Sequence, residues 1–295
     1  MNPERMAQQS IDRSRQSRME VSPLMKRAYE KAQTEVLSNP DYTIQESEFT
    51  GGDYPVYDQH TVTADIALGE RLQKSFDARQ TPQERNTKHI ADTLEAIVLM
   101  QSEMSNWLGN ATTLKTSRYD DYVNKVDMIS EWQNPQSGSQ VLALAVDVTF
   151  GAKSIEKKIA QIKEEIDRGR LGSIRYFKDS RGDFMGTRNN VPRTVIGVSQ
   201  SVVEELAGLW VNGEKKALGA HPIQRLLVSQ MSAQLRAMEG YAAARDNHVA
   251  AQAYQQARGV ITRVKDNQAS IQLGGLSEDP VYQEILSQTR SQFKL

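Results

Sequence analysis

A chain of 295 residues with 36 Lys+Arg against 37 Asp+Glu carries a formal charge of -1. No global field therefore draws it to nucleic acid or a membrane surface, and any such contact must come from a local patch. With no cysteine there is no disulfide, thiolate metal site or cysteine nucleophile, which suits a reducing, cytoplasmic setting. No apolar run approaches a membrane span.

Residues 1–81 are polar. One amphipathic stretch runs from Val21 to Leu37 and stops at Asn39-Pro40. Gly51-Gly52-Asp53-Tyr54-Pro55 reads as an irregular linker, and Ile66, Leu68, Leu72 and Phe76 suggest a short helix from Ala64 to Phe76. The segment offers little apolar surface to offset the entropy of ordering it, so the expectation is a partly disordered arm with short helices.

Residues 82–236 read as the folded core. Thr81 followed by Pro82 is a helix start, and Ile90, Leu94, Ile97, Val98 and Met104 recur on one helical face up to Trp107-Leu108-Gly109. Two β-type runs follow, Tyr122 to Trp132 and Val141 to Phe150, separated by the turn-like Asn134-Pro135-Gln136-Ser137-Gly138-Ser139. The second is apolar on both faces until Asp147, as in a central strand. A helix then carries Ile155, Ile159, Ile162 and Ile166 inward, strands follow at Gly172 to Phe177 and Thr194 to Val198, one further helix runs to Trp210, and a last core helix follows Pro222. This order predicts an α/β fold, a mixed β-sheet flanked by helices. Residues 237–295 read as a helical tail with little hydrophobic stripe.

The acidic residues of the two strands carry the chemistry. In an antiparallel hairpin opposed residues have a constant index sum, so pairing Trp132 with Leu142 sets Asp127 across from Asp147. Opposed carboxylates repel unless a proton, a lysine or a divalent cation intervenes, and Mg²⁺ suits such a site because it takes a few carboxylate oxygens and keeps waters for chemistry. The alternative is that each Asp ends its strand and caps a turn. Arg168, Arg170, Arg175 and Lys178, with Tyr176 and Phe177 interleaved, form a basic stretch that could follow a phosphate backbone of DNA or RNA. Four dispersed histidines give no zinc spacing, and no phosphate-cradling glycine loop is present.

The order helix, strand with Asn124-Lys125-Val126-Asp127, strand with Asp147-Val148-Thr149, lysine-bearing helix and further strand resembles the PD-(D/E)XK nuclease superfamily over about half the chain. The resemblance implies a restriction-endonuclease-like core and Mg²⁺- or Mn²⁺-dependent cleavage of nucleic acid, with Asp127 and Asp147 as metal ligands. It also implies a glutamate from the first core helix, either Glu103 or Glu95. Where the family has a motif lysine this chain has Thr149, so Lys158 on the following helix, with Lys153 as second choice, becomes the candidate catalytic cation. If neither reaches the acids, the resemblance implies a scaffold or interaction module without chemistry.

Overall fold

The computed structural model describes residues 22–51, 55–134, 138–147 and 152–294. The side chains of Asn134, Ala152, Lys153 and residues 138–147 other than Leu142 are outside that description, as are Val148 and Thr149 entirely. Its helices are α1 (Pro23–Ala32), α2 (Gln59–Arg79), α3 (Pro82–Ser105), α4 (Ala152–Asp167), α5 (Gln200–Val211), α6 (Lys215–Gly219), α7 (Ile223–Ala243), α8 (His248–Asn267) and α9 (Pro280–Phe293). Its strands are β1 (Ala111–Lys115), β2 (Met128–Asn134), β3 (Gly138–Asp147), β4 (Gly172–Lys178), β5 (Met185–Val191) and β6 (Arg193–Gly197). The α/β class is therefore correct.

Local chemistry fixes the element that carries most of the site. At the start of α3 the Thr81 side chain accepts the Glu84 amide at 3.2 Å, while the Glu84 carboxylate accepts the Thr81 amide at 2.8 Å. This capping box, with Pro82 at the first turn, satisfies donors that a helix start otherwise leaves open. The helix stops at Asn106, which adopts the left-handed conformation with φ 54°.

The four-stranded sheet has the order β1-β2-β3-β6. The first three strands are antiparallel and β6 is parallel to β3, reached through α4 and the β4–β5 hairpin. Successive residues of β2 face opposite ways. Met128 enters the main core with Leu94, Ile97, Leu142 and the α4 stripe, and Ile129 enters a second cluster with Phe49, Val62, Ile174 and Tyr176.

Both outer strands of the sheet are covered. On β6, Gln234 donates to and accepts from the Val195 backbone at 2.6 and 2.9 Å, and Gln230 does the same for Gly197 at 2.6 and 3.0 Å. Two side-chain amides one helical turn apart on α7 thus stand in for a further strand. On β1, Lys115 donates its amide to the Tyr42 carbonyl at 2.7 Å and accepts from the Ile44 amide at 3.0 Å. The Glu103 carboxylate accepts the Thr113 amide at 3.0 Å.

Several expectations need correction. Trp132 pairs with Gln140, not Leu142, a two-residue shift that preserves which face each residue occupies but removes the expected pairing of Asp127 with Asp147, since the register continued past Met128–Leu144 sets residue 127 beside residue 145. The strand expected from Tyr122 begins only at Met128. Asp120–Asn124 instead form a π-helical turn ending at Lys125 with φ 58°. Asp120 holds that turn: fully buried, it accepts the amides of Arg175 at 2.8 Å and Tyr176 at 3.0 Å and the Ser117 hydroxyl at 2.9 Å. The described part of the expected loose arm is packed, because Met25, Ala28 and Val36 enter the main core, and Phe49 and Val62 the second. The expected tail joins the main core through Tyr254, Ile261, Ile285 and Phe293.

Candidate functional site at one end of the sheet

The last residue of β1, the first of β2 and the far end of β3 lie at one end of the sheet. Lys115 pairs with Met128, and Met128 with Leu144, so β3 runs on for three residues beside the segment holding Asp127 and ends at Asp147. Over this end α3 presents Lys88, Asp92 and Glu95, spaced by four and three residues and so on one helical face. The π-helical turn adds Asp121 and Tyr122.

These side chains form one charged band. Lys88 grips Asp92 through both carboxylate oxygens at 3.0 and 2.9 Å. The Lys115 ammonium is 2.5 Å from Glu95 and 3.5 Å from Asp121. Glu95 is buried, whereas Asp121 and Asp127 are half-buried. Burial pushes the Glu95 carboxyl up to about 8; Lys115 opposes the shift, and Asp127, Asp92 and Asp121 add to it. Burial likewise raises Asp121, again against Lys115 and with Asp127 adding to the shift. Burial alone would lower the Lys115 ammonium, but the negative charge of Glu95 and Asp121 leaves it well above the ordinary lysine value. Tyr122 is pushed up to about 12, chiefly by burial.

Asp92 and Asp127 thus add negative charge beside both Glu95 and Asp121, while Lys115 opposes it at both and Lys88 at Asp121. The chemistry this permits is cation capture or proton uptake. The oxygen donors are those a hard cation takes, but among the described residues no three acidic or imidazole groups converge closely enough to hold a metal ion. Lys115 occupies the space between Glu95 and Asp121.

The sequence-derived residues are dispersed in part. Asp127 belongs to the band. Asp147 stands at the same end of the adjacent strand, its Cα paired with Gly197, and its side chain lies outside the description. Lys158 is half-buried on α4, beside the inward stripe of Ile155, Ile159 and Ile162. Glu103 stands eight residues beyond Glu95, about 12 Å along the helix axis, and its carboxylate serves β1 instead. Arg175 contacts Asp65 at 2.6 Å, with its guanidinium 4.9 Å from the Tyr57 ring centre and 5.5 Å from that of Tyr119. Lys178 pairs with Glu48 at 2.7 Å. Arg170 is exposed on the loop before β4.

Sequence reasoning missed Lys115. A lysine closing the short run Ala111-Thr112-Thr113-Leu114 was the available signal, lost because β1 was not recognised as a strand. No family model, curated protein or solved structure matches this chain.

Proposed function

We propose that the protein is a divalent-metal-dependent nuclease of the PD-(D/E)XK type, acting on DNA or RNA at the end of a restriction-endonuclease-like sheet. The observation that carries this reading is the gathering of carboxylates at the strand ends, where Asp127 raises the proton affinity of both Glu95 and Asp121 beside the end of β3 at Asp147. Asp127, Asp147 and Glu95 are the residues that would hold Mg²⁺ or Mn²⁺, with Glu95 taking the place first given to Glu103. A bound ion would supply an activated water and positive charge for the phosphate. Lys158 supplies the cation beside the scissile phosphate, and Lys115 holds Glu95 and Asp121 in place.

One observation favours a second reading, a scaffold without catalysis. Lys115 already lies between two of the acids, and a buried ammonium can serve a purely structural band.

The test uses the full chain with Mg²⁺ or Mn²⁺ on labelled single- and double-stranded DNA and RNA. Expected is metal-dependent cleavage that Asp127→Asn, Asp147→Asn and Lys158→Ala each abolish, while Glu103→Gln leaves it within about twofold. If the wild type shows neither cleavage nor saturable Mn²⁺ binding by calorimetry, the scaffold reading replaces this one.

A further inference from the structure

Beside the π-helical turn lies a cleft of about 490 Å³, bounded by the C-terminal half of α4, the start of β4, the end of β5 and the start of β6. Volumes of this order hold small-molecule ligands. Three guanidinium groups line it, from Arg168, Arg170 and Arg193, along with the carboxylates of Glu164 and Glu165. Arg168 pairs with Glu164, and Arg193 with Glu165 at 2.6 Å. Arg170, by contrast, forms no ion pair or side-chain hydrogen bond among the described residues, so the cleft keeps one positive charge in excess.

The floor of the cleft is fixed before any ligand arrives. Arg193 is 4% exposed, and its second terminal nitrogen donates to the Lys125 carbonyl at 2.7 Å. Its stem lies where residue 172 has no side chain: a Cβ on Gly172 would come within 2.8 Å of Arg193 Cδ and 2.9 Å of the Val191 carbonyl oxygen. Burial raises the Glu165 carboxyl, with Arg193 and Arg170 among the groups that hold it down. Around the rim stand the neutral amides of Gln161, Asn189 and Asn190. Asn190 is held at φ 58° where the chain passes from β5 towards β6.

We propose that this cleft binds a phosphate ester of nucleotide size. Guanidinium groups offer paired, charge-assisted donors that match a phosphate, and side-chain amides can donate to and accept from sugar hydroxyls or base edges. Among the described residues no aromatic lines the cleft, so recognition runs through hydrogen bonds and charge instead of base stacking. One compact basic cleft on a chain of net charge -1 fits a single nucleotide unit better than a duplex, which needs an extended basic track. The site stands independently of the metal-dependent reading, since none of its lining residues belongs to the acidic band.

The test is calorimetric titration of the full chain in EDTA with inorganic phosphate, 5′-AMP and a single-stranded oligothymidylate. Saturable 5′-AMP binding is expected, weakened at least about tenfold by Arg170→Glu and unchanged by Arg263→Glu at an exposed position outside the cleft. Arg168→Ala is the second cleft variant and should weaken binding less. Competition by the oligonucleotide for the AMP site would identify a strand as the source of the phosphate, and its failure to compete would identify a free nucleotide; both support the site. Absence of 5′-AMP binding at millimolar concentration, or binding that Arg170→Glu and Arg168→Ala both leave intact, overturns it.

Discussion

The sheet end beneath α3 and the outer edge of β6 bury polar groups in opposite ways. Under α7, each amide of Gln230 and Gln234 meets one carbonyl and one N–H of β6, so donors and acceptors match one to one without charge. Under α3, Glu95 and Asp121 share the one Lys115 ammonium, with Asp92 and Asp127 adding negative charge beside them, so the set is not matched one to one. A matched neutral set is what stability alone selects, because an unpaired buried group costs more than a paired one returns. A mismatched charged set is costly unless it performs a task. The contrast points to the sheet end, and not the β6 edge, as the place where this chain does something.

The largest expected effect breaks the charged side of this comparison. Lys115→Met strips Glu95 of its cation and should cost about 3–5 kcal/mol in urea denaturation. Adding Glu95→Leu should recover most of that loss, since an apolar pair of similar volume can replace a buried ion pair. If the double variant is as unstable as the single one, the ion pair is not the origin of the loss.

The matched side should respond less. Gln234→Ala leaves the Val195 N–H and carbonyl without partners and should cost about 2–4 kcal/mol, visible as a lower denaturation midpoint with an unchanged slope. A change below about 0.5 kcal/mol would mean that water replaces the amide.

The third expectation is one of pH. Glu95 is pushed up to about 8 from an ordinary 4.5, so between these values the folded protein keeps a proton that the unfolded chain releases. Its contribution is fully present below about pH 4.5 and is lost as pH rises through 8. The melting temperature of the wild type should therefore fall between pH 5.5 and 8.5, by roughly 4 °C or more. Glu95→Gln should flatten that slope, and an equally steep slope in the variant would place the titrating group elsewhere.

Most of the core was legible because its signals are local. Thr81-Pro82 announces α3, the isoleucines of α4 repeat at helical spacing, and the apolar run ending at Asp147 announces a central strand. What escaped depends on contacts distant in the chain. β1 and β5 are short and polar, and they become strands only by pairing with β2 and β4. The turn at Asp120–Asn124 is set by the amides of Arg175 and Tyr176, 55 and 56 residues away. The packing of residues 22–81 was missed because small residues such as Ala28 and Ala32 bury completely while contributing little to an apolar pattern. At the site, Asp127 was readable as an acid beside apolar neighbours. Lys115 and Glu95 were not brought together, because neither stands out until β1 and α3 are placed side by side.

The coverings of the sheet also arrive at different times during synthesis. The segment Tyr42–Ile44 and Glu103 precede β1 in the chain, so the partners of that strand already exist when it is made. The β6 strand waits 33 to 39 residues for Gln230 and Gln234. A nascent or truncated chain ending before Gln230 therefore presents an open row of backbone donors and acceptors, the template on which foreign strands add and aggregates grow. Completion of α7 closes that interval, which makes two glutamines in a helix the protection of a strand made long before them.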